Sequence, residues 1–153
     1  MSIIPNYVPS QFKTVNFMLF VKNAEKAIEF YNRAFGAEEV MRLTDPNGVI
    51  VHSEIKIADT IIMLAEENPE YGSSPETLGG VSSVIQVYTG DVEGFFEEAL
   101  KAGAEEVFPI KVQFYGDRAG RLKDPFGHQW IIATHMENVT AAEMQNRFHA
   151  LYS

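Results

Sequence analysis

The pentapeptide GAEEV stands at Gly36–Val40 and again at Gly103–Val107. This repeat constrains the fold more than any other feature, because the residues before both copies follow one plan. The first copy is preceded by VNFMLFVKNAEKAIEFYNRAF and the second by SVIQVYTGDVEGFFEEALKA. Each reads as an alternating run, a capping residue and a helical stretch. Asn23 and Asp91 are the caps, since their side-chain oxygens can accept from the free N–H groups of a helix start. Ala24, Ala27, Ile28, Tyr31 and Phe35 form one apolar stripe, and Val92, Phe95, Phe96, Ala99 and Leu100 form the other. Both have the i, i+3, i+4, i+7 spacing of a helix with one buried face. Gly36 and Gly103 then end the helices, where a left-handed residue is needed.

More strand follows each copy. VIVHSEIKI and TIIMLA flank a turn at Ala58-Asp59, and GRLK and HQWIIATH flank DPFG. DPNG, at Asp45–Gly48, is a further hairpin turn. Each half is therefore β-α-β-β-β, and the predicted fold class is α+β, an internal duplication of one βαβββ module. Module one covers 13–66, a Pro-, Gly- and Ser-containing linker 67–80, and module two 81–136, all within a single domain, 1–153. A capping box at Thr140–Glu143 opens a C-terminal helix over 140–152, with Met144, Phe148 and Leu151 on its apolar side.

Composition narrows function by exclusion. The net charge of −9 and the lack of a basic stripe argue against a nucleic-acid partner. No apolar run reaches the roughly 18 residues of a membrane span, so no membrane partner is expected. The N-terminus lacks the basic and apolar regions of a signal peptide and there is no cysteine, which fits a cytoplasmic protein. Phosphate-loop, dinucleotide and nucleophile-elbow motifs are absent. His52, His128, His135 and His149 show no local metal-ligand spacing.

Tandem βαβββ modules with FYNRAFGAEE after the first strand and DPFGHQW near the end resemble the vicinal oxygen chelate superfamily, which comprises glyoxalases, bleomycin resistance proteins and extradiol dioxygenases. FYGDRAGRLKDPFGHQWIIATH and HSEI are similar to its PhnB-like branch. The resemblance covers about residues 13–150. It implies eight strands in curved mixed sheets that close a cup around a small-molecule ligand, and a homodimer. It fixes no reaction, because one fold hosts many chemistries. Metal enzymes of the superfamily take one ligand from the first and one from the last strand of each module. By strand register those positions are Asn16, Met63, Val84 and Ile131 here, which are poor donors for a divalent metal. No metal and no cofactor is therefore expected.

Strand alternation assigns the faces. Val15, Phe17, Leu19 and Val21 are expected under the helices, leaving Asn16, Met18 and Phe20 for the cup. Gln86 belongs to the equivalent face of module two. His52 and Glu54 share one face of the third strand and are the candidate catalytic acid–base pair; a solvated face or subunit contact is the competing reading. The expected ligand-binding set is Asn16, Met18, Phe20, His52, Glu54, Met63, Gln86, Tyr115 and Arg118. Trp130 is expected in the core and His149 on the surface. Three functions stay open at this point: a binder of a small molecule, including an antibiotic-sequestering resistance protein; a metal-independent lyase or isomerase; and a duplicated scaffold whose surface matters more than its cup.

Overall fold

The structure is a computed structural model in which residues 6–153 are described. The chain divides into two compact units, Met1–Gly80 and Val81–Ser153. Unit one contains β1 (Phe17–Val21), α1 (Ala24–Phe35), β2 (Glu38–Thr44), β3 (Ile50–Ile57), β4 (Thr60–Glu66) and a short α2 (Pro75–Leu78). Unit two contains β5 (Val84–Tyr88), α3 (Val92–Ala102), β6 (Glu105–Val112), β7 (Asp117–Lys123), β8 (Gln129–His135) and α4 (Ala141–Ala150). The eight strands form two four-stranded mixed sheets, ordered β1-β4-β3-β2 and β5-β8-β7-β6. In each sheet the first and last strands of the module run parallel and the other pairs antiparallel. The helical crossover after the first strand is what permits that parallel pair.

The duplicated sequence therefore folds into duplicated structure. Asn23 caps α1 by accepting from Lys26 N, and Asp91 caps α3 by accepting from Gly94 N. Gly36 (φ 65°) and Gly103 (φ 123°) turn the chain out of the two helices. Two hairpin turns at different places in the modules, β2–β3 and β7–β8, are pinned by the same chemistry: Asp45 Oδ1 accepts from Asn47 N and Val49 N, and Asp124 Oδ1 from Phe126 N and His128 N.

The helix side of each sheet is the core. In unit one Leu19, Val21, Ser53, Ile55, Ile62 and Leu64 are buried with Ala27, Phe30 and Tyr31 of α1. In unit two Leu122, Trp130 and Ile132 are buried with Phe96 and Ala99 of α3. Trp130 is fully buried, and its Nε1 donates to Asp124 Oδ2 at 2.8 Å. Gly120 lies where α3 approaches β7: a Cβ there would come within 2.7 Å of the Phe96 ring.

Two local expectations are corrected, and α4 departs from a packed helix. Val15 precedes β1 and Phe17 opens it, and both are exposed rather than under α1. The linker is not all loop, because Ser74 caps α2 by accepting from Thr77 N. The apolar side of α4 is not deeply buried: Leu151 is exposed, and Phe148 makes ring contacts with Phe114 and Tyr152, centroids 5.3 Å apart in each. Arg147 holds α4 instead, through Glu137, Glu143 and the carbonyl of Phe114.

Candidate functional site

The face of each sheet turned away from its helix holds the candidate site residues. In unit one the register places Met18 beside Met63, Met63 beside Glu54, and Glu54 beside Met41. One carboxylate thus lies in a row of three thioethers across four strands. Glu54 is only 7% exposed. Its polar neighbour is His52, two residues back on the same face: His52 Nε2 lies 3.5 Å from Glu54 Oε1. The side-chain period of two makes this contact possible. The two residues expected to share a face are neighbours in space.

Beside the row lies a cavity of about 500 Å³, lined by Met18, Phe20, Val49, Val51, Ala65 and Tyr71, with Glu66, Glu67 and Asn68 at one end. Phe20 is held by the loop after β4, where a Cβ on Gly72 would fall 2.2 Å from the Phe20 ring. The two acids are already committed. Glu66 accepts from Asn23 N and Ala24 N, its carboxylate set against the positive end of α1. Glu67 accepts from Ser74 N and Thr77 Oγ1, and the hydrogen bonds from Ser74 hold its carboxyl below the usual range. What remains open in the cavity is mostly apolar wall.

Unit two presents a different surface at the counterpart positions. Gln86 pairs with Ile131, Ile131 with Arg121, and Arg121 with Phe108. Arg121 thus occupies the place in its module that Glu54 occupies in the first, and its guanidinium lies 5.4 Å from the centroid of the Phe108 ring. At the end of this face, Asp117 is buried and accepts from Tyr88 Oη at 2.8 Å. Its other oxygen lies 2.7 Å from His135 Nδ1, while His135 Nε2 lies 2.8 Å from Asn138 Oδ1. With acceptors at both ring nitrogens, first Asn138 and then Asp117, the imidazole is held above its ordinary pKa. The Tyr88 phenol is pushed up, chiefly by its hydrogen bond to Asp117. Burial raises Tyr115, with the Asp117 charge adding to it.

The anticipated residues thus divide. Met18 and Phe20 line the unit-one cavity, and Met63, His52 and Glu54 lie on the same face of that sheet. Tyr115 lines a separate cavity in unit two, and Gln86 lies in the row described above. Two placements are corrected. Asn16 precedes β1 and closes a local turn, accepting from Lys13 N and donating to Lys13 O. Arg118 points to the helix side of β7, where it pairs with Glu93 of α3; the residue at the Glu54 position is Arg121. Sequence reasoning passed over the Tyr88–Asp117–His135 cluster. Its only advance signal was that Tyr88 falls on the alternation of Val84 and Gln86.

Comparison with known proteins agrees with this architecture. A model of the Glyoxalase/Bleomycin resistance protein/Dioxygenase superfamily matches residues 13–132. The chain belongs to this superfamily. An uncharacterised protein of Mycobacterium bovis is 36% identical over 131 residues, which cover 83% of this chain and 86% of that one. A crystal structure of an Arabidopsis thaliana gene product has 28% identity and a TM-score of 0.64, covering 80% of this chain and 98% of that one. The fosfomycin resistance protein FosX of Listeria monocytogenes, solved with Mn(II) and sulfate, shares the fold at 20% identity and a TM-score of 0.59, covering 90% of this chain and 98% of that one.

The superfamily includes metal enzymes, and the donor set of this chain decides whether a divalent ion fits. The register sets Met63 beside Met18 and Ile131 beside Gln86, so Asn16 and Val84 are not their neighbours. Two thioethers, an amide and a hydrocarbon do not fit Zn²⁺, Ni²⁺ or Mn²⁺, which take imidazole and carboxylate donors. Among the described residues, no group of three or more His, Cys, Asp or Glu could hold a metal ion. Among the same residues, no helix is long and apolar enough to cross a membrane.

Proposed function

We propose that this glyoxalase-superfamily protein binds a small, largely apolar molecule in the unit-one cavity, without the divalent metal of the superfamily's metal enzymes. The observation that carries the reading is the cavity itself. Its volume suits a small ligand, and its walls are Met18, Phe20, Val49, Val51, Ala65 and Tyr71. Pockets for small molecules combine such apolar walls with few polar groups. Tyr71 and Phe20 offer ring faces, and the net charge of −9 favours a cationic aromatic compound over an anionic one at this site. Sequestration of such a compound, as in a resistance protein, needs nothing more from the site. The reading includes a cytoplasmic homodimer of the PhnB-like branch, on the strength of the family resemblance; sedimentation of the purified protein tests the dimer.

The His52–Glu54 pair supports a second reading, in which the chain is a lyase or isomerase. A buried carboxylate orients an imidazole that faces the same side as Met63, an arrangement suited to moving a proton without a metal. A thermal-shift screen over α-ketoaldehydes, thiol conjugates, cationic antibiotics and divalent metals separates the two. Binding alone gives a concentration-dependent rise in Tm with the compound recovered unchanged. Turnover that His52→Gln abolishes selects the enzyme. Stabilisation by a divalent metal and by none of the organic compounds would overturn both.

A further inference from the structure

Among the described residues, four arginines are half-buried: Arg42, Arg118, Arg121 and Arg147. Three of them meet carboxylates. Arg42 sits against Glu25 and Glu39, Arg118 against Glu93, and Arg147 against Glu137 and Glu143. Arg121 forms no ion pair among the described residues, in a chain with 21 acidic and 12 basic side chains. Where acids outnumber bases so heavily, a half-withdrawn guanidinium without a counter-ion calls for an explanation.

Its surroundings supply one. Arg121 lines a cavity of about 260 Å³ with Phe108, Lys111, Gln113, Tyr115 and Ile131. Lys111, the second cation of this cavity, is likewise without an ion pair among the described residues. The acid nearest along β7 on the same face is Asp117, whose two oxygens are taken by Tyr88 and His135. The Phe108 ring, 5.4 Å from the guanidinium carbon, supports the cation and leaves its N–H groups free to donate. The Tyr115 phenol, in the lining of the same cavity, adds a hydroxyl donor. A guanidinium fork, an ammonium and a phenol in one small cavity are the donor set for a planar oxyanion.

We propose that this unit-two cavity is a binding site for a small organic carboxylate, its anionic end held by Arg121 and Lys111 and its apolar body placed against Phe108 and Ile131. This cavity takes the opposite class of ligand from the one proposed for unit one.

The test is a titration followed by backbone amide NMR, with benzoate as probe and benzamide as its neutral isostere, at constant ionic strength. Benzoate is expected to shift the β6, β7 and β8 resonances saturably, and benzamide to leave them unmoved. Arg121→Gln is expected to weaken benzoate binding by about tenfold or more, the loss of one charge-assisted pair. Arg121→Lys should fall between, since it keeps the charge and loses the fork. Lys111→Gln, at a more exposed position, gives a second reading that does not depend on the fold of the Arg121 variants. Equal shifts from benzamide, or benzoate affinity unchanged in both Arg121→Gln and Lys111→Gln, overturn the proposal. Gly72→Ala, which alters only the unit-one cavity, should leave benzoate binding intact, so failure of one site is told apart from failure of the other.

Discussion

His135 Nδ1 lies 2.7 Å from Asp117 Oδ1 at the end of the β7–β8 pair, and Asn138 Oδ1 closes on the other ring nitrogen at 2.8 Å. Both contacts favour the imidazolium, so the folded-state pKa is raised above the ordinary histidine value. The sign follows from linkage. A raised pKa gives stability that is fully present below the unfolded value of about 6.5 and is lost as pH rises through the folded value. His135→Gln should therefore lower Tm most in acid, around pH 5.5, and the gap to the wild type should close as the medium becomes alkaline. A gap that stays constant from pH 5.5 to 9 would show that the ring contributes by packing and not by charge.

Trp130 and Asp124 form the central polar contact of the unit-two core. Removing the indole should cost about 3–5 kcal/mol, as for other large buried aromatics truncated to alanine. Asp124→Ala strands the donors of Phe126 N, His128 N and Trp130 Nε1, and should cost roughly 2–3 kcal/mol. Urea unfolding of the two variants checks both values. A loss below about 1 kcal/mol for Trp130→Ala would contradict the packing described for this core.

Gly72 is the contact through which the loop after β4 holds Phe20. A methyl group there must displace the ring, which has the unit-one cavity as its open side. Gly72→Ala is expected to cost about 1–3 kcal/mol, the range for overpacking. It should also weaken, by calorimetry, whichever screened compound binds this cavity. Binding unaffected by the substitution would place the ligand elsewhere.

The fold was legible because local signals agreed with one another. Asn23, Asp91, Gly36 and Gly103 mark helix ends by backbone chemistry that needs no tertiary information, and the apolar stripes between them identify the buried faces. The candidate site was legible only as far as alternation reaches. Period two put His52 with Glu54 and Met18 with Phe20, and both groupings hold. Register between strands is a long-range property, and the repeat motif could not fix it. The residues beside Met63 and Ile131 are Met18 and Gln86, two positions on from Asn16 and Val84, and Arg118 was chosen where Arg121 stands. The Asp117–His135 pair was hidden for the same reason, since it exists only through the β7–β8 register. Asn16 was misread because a side chain that closes its own turn leaves no trace in an alternation pattern.

The final prediction concerns metal content. Protein expressed with added Zn²⁺, Ni²⁺ and Mn²⁺, then desalted, should carry far less than one such ion per chain by elemental analysis. The argument is one of donors. The row positions in unit one are Met18 and Met63, whose thioether sulfurs are soft and uncharged, and those in unit two are Gln86 and Ile131, of which only the amide can donate at all. Borderline and hard divalent ions gain most of their binding energy from imidazole nitrogen and carboxylate oxygen. Glu54 is the nearest carboxylate in the unit-one row, but a lone carboxylate beside two thioethers gives an ion no second anionic donor, and the nearby imidazole is already engaged with it. Chelation with EDTA should accordingly leave Tm unchanged, because no folding free energy is stored in metal bonds. About one tightly held ion per chain, lost together with several degrees of Tm on chelation, would restore a metal-dependent glyoxalase reading. It would also require ligands other than the four strand positions named here.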